Sequence, residues 1–373
     1  MRNGTKFAKR SNRVIAATLV INQLQKPLAT TAGLTGVAEL SRAMITNSLL
    51  NIALSLRNSG LSTIPIRTNG SKEPAIRSWK KYQQRRPTEG ELRKWFGNGN
   101  LFGIAVIGGK VSRNLEIIDF DAPDLIAEWR GLVEESGSGL LSRLPQVLTP
   151  SGGLHVFYRC KRIAGNAKLA QREVEASAGT KGAREREGRW FKFETAIETR
   201  GEGGYVITAG SPAACHPSGR IYRLIMGDLK AVPVITERER EILLDCARSF
   251  NEHEKPSPDP KRALPQVSSL RPGDDFNLRG EARATLEKHG WKYLRKGSRG
   301  ELWRRPGADH TSATLFPDGS LYVFSSNAHP FEPDRRYDKF SIYCLLEHNG
   351  DWKAAAKALA ANGYGKTLMA RRS

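Results

Sequence analysis

The alternation of hydrophobic and polar positions is clearest over residues 115–121, which read Leu-Glu-Ile-Ile-Asp-Phe-Asp. On a strand, successive side chains point to opposite faces, so Asp119 and Asp121 would project to one side. Ile118 and Phe120 would then face a core on the other side. Two carboxylates on one face repel each other, and a divalent cation such as Mg²⁺ or Mn²⁺ relieves that repulsion. The motif alone is also typical of an edge strand with solvated acids, so both interpretations stay open.

The same patterning predicts further elements in the first two thirds of the chain. A helix is expected over 48–58, and Thr-x-x-Glu capping boxes at Thr88 and Thr236 predict two more helix starts. A fourth helix is expected over 123–135, where proline can occupy the first position. Strands are expected over 61–67, 102–107, 115–121, 146–149, 154–160, 190–199, 204–209 and 221–225.

Two tertiary expectations follow from this pattern. The strands 102–107 and 115–121 are separated by a Gly-Gly-Lys turn, which predicts an antiparallel pair. The region 171–189 is dense in charge and glycine and has almost no large apolar residue, so it is predicted to be a mobile loop that contacts nucleic acid.

Helices and strands mix without a regular βα repeat, which predicts an α+β fold. Prolines cluster over 252–275 and predict a linker between two domains. The expected divisions are a basic, poorly ordered extension over 1–43, a first domain over 44–251, the linker over 252–275, a small α+β domain over 276–366 and a tail over 367–373. In the small domain we expect helices over 276–288, 337–347 and 351–361 and strands over 291–294, 302–304, 312–316 and 321–325.

The composition of the chain limits the kinds of molecule that we expect it to bind. The chain has 59 Lys and Arg against 38 acids, a net charge of +21, and such a field attracts polyanions, of which nucleic acid is the commonest. No apolar run is as long as a membrane span, so no membrane partner is expected. The four cysteines lie far apart without a C-x-x-C pair, which predicts a reducing, cytoplasmic location and argues against a zinc ribbon.

Two later segments add chemistry to the aspartate pair. Ser151-Gly152-Gly153-Leu154-His155 places two glycines before a strand, where backbone N–H groups can approach a phosphate and His155 can donate to it. Glu198 lies at the end of the predicted strand 190–199 and is expected to be half-buried. Burying a carboxylate costs free energy unless a cation binds to it. Lys72, in a turn ending at Pro74, fits either a surface turn or a substrate contact.

In this order, these motifs resemble those of the archaeo-eukaryotic primase superfamily. The closest similarity is to the bifunctional DNA primase/polymerase (Prim-Pol) N-terminal domain family of phages, plasmids and integrated elements. The resemblance covers residues 44–251, and Glu198 stands where many relatives carry Asp. The segments that carry it are 117–121, 151–155, 197–198, 203–207, 210–211 and 72–75 with Trp79.

The resemblance implies a two-part catalytic domain with an RRM-like antiparallel sheet. It implies a DNA primase/polymerase in which a 3′-hydroxyl attacks the α-phosphate of a nucleoside triphosphate, with two Mg²⁺ or Mn²⁺ ions about 3.5–4 Å apart. The implied catalytic and metal-binding residues are Asp119, Asp121 and Glu198. The implied nucleotide-binding residues are His155, which would contact the phosphates, and Ser151, Lys72 and Arg200, which would contact phosphate or sugar.

The implied partners are a single-stranded DNA template and nucleoside triphosphates, in the replication of a mobile element. Residues 360–367 fit a relaxed P-loop pattern, but a helix is predicted before them where a P-loop needs a strand, so any replicative helicase is expected to be a separate protein. His310 and His329 lack partners at ligand spacing, so no structural zinc is expected. The alternative functions are a non-catalytic DNA-binding replication initiator and a metal-dependent nuclease.

Overall fold

The structure is a computed structural model that describes residues 48–97, 99–137, 139–255 and 270–365. The expected extension over 1–43, the expected tail over 367–373 and most of the expected linker lie outside these residues. None of the described helices is long and apolar enough to cross a membrane.

Residues 48–255 form two β-sheets with helices beside them. The strands are β1 (Ser62–Ile66), β2 (Gly103–Ile107), β3 (Leu115–Phe120), β4 (Gln146–Leu148), β5 (Leu154–Cys160), β6 (Ala167–Ala176), β7 (Arg184–Arg186), β8 (Arg189–Arg200), β9 (Tyr205–Ile207), β10 (Arg223–Met226) and β11 (Val234–Ile235). The helices are α1 (48–58), α2 (Glu89–Phe96), α3 (Ile126–Glu134) and α4 (Glu237–Arg248). This mixture confirms the α+β class.

The larger sheet has the strand order β10-β4-β5-β3-β8-β6, with β11 parallel to β5 and β7 beside β8. The smaller sheet has the order β1-β2-β9. Strand β3 lies in the interior of the larger sheet, antiparallel to both neighbours, and all six of its residues are buried. The aspartate motif is therefore on a central strand and not on an edge strand.

The alternation along β3 divides the core into two layers. Leu115 and Ile117 pack in the apolar cluster that contains the smaller sheet. Ile118 and Phe120 pack in the cluster that contains apolar side chains of α3 and α4. Asp119 shares the parity of Ile117 and therefore faces the smaller-sheet side, as the sequence pattern predicts.

Both capping boxes are confirmed. The side chain of Thr88 accepts a hydrogen bond from the N–H of Glu91, and the Glu91 carboxylate accepts one from the N–H of Thr88. Thr236 and Glu239 repeat this arrangement at the start of α4. Such boxes satisfy N–H groups that the first helical turn leaves unpaired, which is why a four-residue pattern locates these helix starts.

The predicted pairing of 102–107 with 115–121 is wrong. Strand β2 pairs with β1 and β9 in the smaller sheet, whereas β3 pairs with β5 and β8. A 3₁₀ turn over 110–112 and two left-handed residues, Arg113 (φ 60°) and Asn114 (φ 55°), turn the chain out of one sheet and into the other. An isolated bridge between Gly109 and Leu115 is the contact that remains where the pair was expected.

The predicted loop over 171–189 is wrong at both of its ends, because β6 extends to Ala176 and β7 and β8 begin at Arg184 and Arg189, so that only 177–183 and 187–188 lie outside the strands. The ladder runs from Gln171 opposite Thr195 to Ala176 opposite Trp190. Phe191 supplies apolar packing within this charged segment, since the guanidinium groups of Arg186 and Arg189 lie 4.5 and 5.4 Å from its ring centroid. Backbone pairing and these contacts give order to a segment whose composition is typical of a loop.

Residues 270–365 form a third, five-stranded sheet in which neighbouring strands follow in chain order. The elements are α5 (Pro272–Arg279), α6 (Ala282–Lys288), β12 (Lys292–Lys296), β13 (Glu301–Arg304), β14 (Ala313–Leu315), β15 (Leu321–Val323), β16 (Arg335–Tyr337), α7 (Lys339–His348) and α8 (Trp352–Ala361). The expected single helix over 276–288 is two helices separated at Gly280. A Cβ there would lie 2.5 Å from the Phe276 ring, so this turn depends on glycine. Strand β16 was not predicted.

The C-terminal sheet packs directly against the region of α3 and α4. Leu302 of β13 is buried in the same apolar cluster as Leu243 and Ala247 of α4. Arg299 donates to the carbonyl of Asn251 at 2.5 Å and pairs with Glu254 at 2.7 Å. The two parts of the chain therefore share a core as well as polar contacts.

Candidate active site

The register of the larger sheet places three polar residues in one row. Asp119 on β3 lies opposite His155 on β5 and opposite Glu198 on β8. Directly opposed residues on antiparallel strands share a face, with Cβ atoms about 4.5–5.5 Å apart. Strand pairing therefore assembles side chains that lie far apart in the sequence.

Asp121 lies one residue beyond the end of β3. Its N–H donates to the carbonyl of Ala196 on β8 at 3.0 Å, which holds the chain beside the same strand that carries Glu198. Asp119 is buried, Glu198 is half-buried and Asp121 is exposed. One potential ligand atom from each of these three carboxylates lies within 4.8 Å of the others.

Asp119 is stabilised as a carboxylate by its neighbours. Burial opposes its ionisation, but His155 and Arg200 outweigh burial, so the pKa of Asp119 is lowered. The Nε2 atom of His155 lies 3.3 Å from Oδ1, and the Nε atom of Arg200 lies 3.6 Å from Oδ2. Both oxygens of Asp119 therefore have a donor or cation close by.

The charges of the other two carboxylates, Asp121 and Glu198, are less well balanced by their neighbours. Burial and the charge of Asp119 raise the pKa of Asp121. Burial also raises the pKa of Glu198. The Arg200 guanidinium, which contacts Glu198, opposes this shift. The charges of Asp119 and Asp121 add to it. Excess negative charge on converging oxygens is the environment that Mg²⁺ or Mn²⁺ prefers, so these residues fit a divalent cation.

Gly153 has a steric role beside this cluster. A Cβ on Gly153 would lie 1.9 Å from the carbonyl oxygen of Phe120, and Gly152 has a φ of +96°. The turn over 149–153 can approach the end of β3 only because these positions are glycine. Ser151 lies on this turn and contacts the Thr149 hydroxyl at 3.1 Å, and the described residues show no contact between Ser151 and the carboxylates.

His155 has a second neighbour that the sequence did not reveal. The ring of Tyr222 stacks on it with centroids 5.9 Å apart, and the ring of His216 packs edge-on against Tyr222 with centroids 6.1 Å apart. The buried Nδ1 atom of His155 has no hydrogen-bond partner among the described residues. No short motif connects His155 with Tyr222, so only their spatial proximity could have identified the tyrosine.

Lys72 lies near the aspartates on a left-handed turn, with φ 61°. Its charge opposes the burial and the Asp119 charge that raise the pKa of Asp121. The Tyr205 hydroxyl donates to the Lys72 carbonyl at 3.2 Å, and the Tyr205 ring packs edge-on against Trp79 at 5.1 Å. The structure thus brings together the early segment with Lys72 and Trp79 and the late glycine-rich segment with Tyr205.

The fold and the site define an α+β protein with a carboxylate cluster that could hold a metal ion. Residues 53–236 match the family model for the bifunctional DNA primase/polymerase, N-terminal (Prim-Pol), and through this domain the chain belongs to that family. No curated protein is found to match the chain. The family implies nucleotidyl transfer of the DNA primase/polymerase type, with DNA and nucleotides as substrates and a metal requirement. The matched range contains all the candidate site residues above and ends at Thr236, the N-cap residue of α4.

Proposed function

We propose that this protein is a DNA primase/polymerase that adds nucleotides on a single-stranded DNA template by two-metal nucleotidyl transfer. The observation that carries the proposal is the row of Asp119, His155 and Glu198 on adjacent strands, with Asp121 beside it. In this reaction the 3′-hydroxyl oxygen forms a bond to the α-phosphorus, and the bond from that phosphorus to the bridging oxygen breaks to release pyrophosphate.

Asp119, Asp121 and Glu198 would hold the metal ions. One oxygen from each lies within 4.8 Å of the others, and burial together with the neighbouring carboxylates raises the pKa of Asp121 and of Glu198, an effect that a bound cation would oppose. When bound, the ions would supply the positive charge that stabilises the attacking and leaving oxygens. Carboxylate oxygens are the ligands that Mg²⁺ and Mn²⁺ prefer.

His155 would bind the phosphates of the incoming nucleotide. Asp119 orients one ring nitrogen, and the other is a buried nitrogen that has no hydrogen-bond partner among the described residues, so it has unused hydrogen-bonding capacity. Tyr222 would keep the imidazole in place by stacking. Arg200 and Lys72 would bind phosphate or sugar as the cations next to the carboxylates, and Ser151 would do so from the glycine turn.

The template would be held mainly through its backbone. With a net charge of +21, the chain attracts phosphates in a way that depends on salt and not on base sequence. The larger sheet would correspond to the RRM-like half of a two-part catalytic domain over 44–251, and residues 276–366 would form the accessory domain. A role in replicating a mobile element and a separate helicase stay predictions of the sequence resemblance.

The test is nucleotide incorporation on single-stranded DNA with Mg²⁺ or Mn²⁺, with and without a primer. We expect the full chain to make product and the folded Asp119→Asn/Asp121→Asn variant to make none. Asp228→Asn is the matched control, because Asp228 is a surface carboxylate paired with Lys230.

The other outcomes separate the alternative functions. Product that persists in the double variant would overturn the metal assignment. Cleavage of the template without synthesis would indicate a nuclease, and DNA binding without either reaction would indicate a replication initiator.

A further inference from the structure

A second cluster of potential metal ligands lies where the C-terminal sheet meets α4. Glu241 and Asp245 are one turn apart on α4, and His310 reaches them from the segment between β13 and β14. One potential ligand atom from each residue lies within 4.8 Å of the others. The side chains of Asp245 and His310 are buried, and that of Glu241 is partly exposed. All three residues lie outside the range that matches the family.

The separation between His310 and Asp245 suits two ligands of one ion. The distance from His310 Nε2 to Asp245 Oδ2 is 3.3 Å, whereas a charge-assisted N–H···O bond is shorter, about 2.7–2.9 Å. With metal–ligand bonds of about 2.0–2.1 Å, the edges of a coordination tetrahedron are about 3.3–3.4 Å. These two atoms form a hydrogen bond that is longer than a strong ion pair, and their separation also matches that of two neighbouring ligands of one ion.

The other nitrogen of His310 is held as it is in metal sites. His310 Nδ1 lies 3.0 Å from a carboxylate oxygen of Asp309, and Arg238 pairs with the second Asp309 oxygen at 2.7 Å. When Nδ1 carries the proton and donates it to Asp309, the lone pair on Nε2 is available to an ion, as in carboxylate–histidine–metal arrangements. That lone pair is directed at the cluster.

Each carboxylate of the cluster is paired with an arginine through one of its oxygens. Arg248 pairs with Oδ1 of Asp245 at 2.9 Å, and Oδ2 is the oxygen that faces His310. Arg305 and Asn327 both donate to Oε1 of Glu241, at 3.1 and 2.7 Å. Oε2 of Glu241 accepts no hydrogen bond from the described residues, so each side chain is oriented while one oxygen is available to a cation.

We propose that Glu241, Asp245 and His310 bind one transition-metal ion of the zinc class, which joins the C-terminal sheet to α4. An imidazole together with two carboxylates favours such an ion over Mg²⁺ or Ca²⁺, which prefer oxygen alone. The partly exposed Glu241 gives the ion a path to the site, and a water molecule would complete the coordination. His310 thus has ligand partners across the two parts of the chain, which sequence spacing could not reveal.

A proton on Nε2 is the competitor of the ion. Burial opposes protonation of His310, but Asp245 and Asp309 outweigh burial and raise its pKa. Without a metal, His310 contacts Asp245 and Asp309, which are themselves paired with Arg248 and Arg238. This ion-pair arrangement is the alternative that the experiment has to exclude.

The experiment uses the full chain with Asp119→Asn/Asp121→Asn, so that the active-site aspartate pair contributes no signal. The protein is stripped with a chelator, incubated with Zn²⁺ and passed through a desalting column, and the bound zinc is counted by elemental analysis. We expect one ion per chain and a Zn²⁺-dependent rise in the melting temperature, as for any ligand that binds only the folded state. An equal concentration of Mg²⁺ should produce neither effect.

His310→Gln should lose both the zinc and the rise in melting temperature. His289→Gln is the matched control, because His289 also lies against a carboxylate, Glu347 at 3.0 Å, but away from the cluster. If His310→Gln does not fold, Glu241→Gln replaces a partly exposed ligand and should weaken Zn²⁺ binding at least about tenfold. Failure of the parent to retain zinc, or equal retention by the His310 and Glu241 variants, would overturn the proposal and leave an ion-pair contact.

Discussion

The two carboxylate clusters use similar ligand types but differ in how open they are and how their charges are balanced. In the first, adjacent strands of one sheet align Asp119 and Glu198, Asp121 is exposed, and Arg200 contacts both of the aligned acids. In the second, Asp245 is buried and each acid is paired with its own arginine. An open, incompletely neutralised cluster is suited to ions that come and go with substrate, whereas a closed and braced cluster is suited to structure.

The difference predicts which property each cluster controls. Substitutions at the sheet cluster should change activity more than stability, because its carboxylates repel one another in the folded state. Substitutions at the α4 cluster should change stability more than activity, because they leave buried charges without partners.

The largest expected effect is on catalysis. Glu198→Gln should lower nucleotide incorporation about 1,000-fold, because charge stabilisation by a bound metal contributes several kcal/mol to the transition state. Glu198→Asp is the control, since it keeps the carboxylate and should keep much of the activity. Primer extension measures both, and an active Gln variant would contradict the role of Glu198.

The next effect is on stability. Asp245→Asn should lower the free energy of unfolding by about 3 kcal/mol, because Arg248 and His310 lose a buried charged partner. Urea denaturation measures this loss, and the folded variant should still extend primers. Asp228→Asn, on the surface, should change the free energy by less than about 0.5 kcal/mol. Equal losses of unfolding free energy in the two variants would show that Asp245 contributes no more to stability than a surface carboxylate.

A steric change should disturb the sheet cluster without altering its charge. Gly153→Ala places a Cβ 1.9 Å from the Phe120 carbonyl oxygen, so we expect a loss of about 1–3 kcal/mol together with reduced activity. Gly165→Ala is the matched control, because nothing lies within 4 Å of its Cβ position. A melting curve and a primer-extension assay on both variants test this prediction, and similar behaviour of the two would contradict it.

The smallest effect is a pH-dependent difference in melting temperature without metal. Because the pKa of Asp121 is raised, its charge destabilises the fold at neutral pH, and this effect disappears as pH falls through the raised pKa toward the unfolded value near 3.9. Asp121→Asn should therefore melt higher than the parent at pH 7 and equally below about pH 3.5.

The charge of Asp124, three residues away, is expected to have the opposite effect on stability. Its pKa is lowered by Arg172, so its charge stabilises the fold above the unfolded pKa, and this stability is lost as pH falls through the folded pKa. Asp124→Asn should therefore melt lower than the parent at pH 7. Melting curves in a chelating buffer compare the two variants, and shifts of the same sign would contradict the charge distribution described above.

Local patterns predicted the elements whose causes are local. The Thr88 and Thr236 capping boxes marked helix starts because the hydrogen bonds that form them span only three residues. The alternation over 115–121 predicted that Asp119 lies on the face opposite to Ile118 and Phe120, because the two-residue period of a strand does not depend on its partners.

Patterns failed where pairing at long range decided the structure. The hairpin of β6 and β8 is stabilised by its backbone ladder and by arginines packed on Phe191, and neither is visible in a charged, glycine-rich composition. The separation of β2 from β3 depends on the left-handed residues Arg113 and Asn114. Composition could not report either of these features.

The sequence by itself supplied the candidate chemistry of the first site: two aspartates on one face of a predicted strand, a histidine after paired glycines and a third acid at a predicted strand end. Only the tertiary structure decided that these residues form one row, because strand register aligns positions that are distant in the chain. It alone also placed Tyr222 on His155, and His310 on the acids of α4. The physical reason is that ligand types are properties of single residues, whereas their convergence depends on how sheets and helices pack.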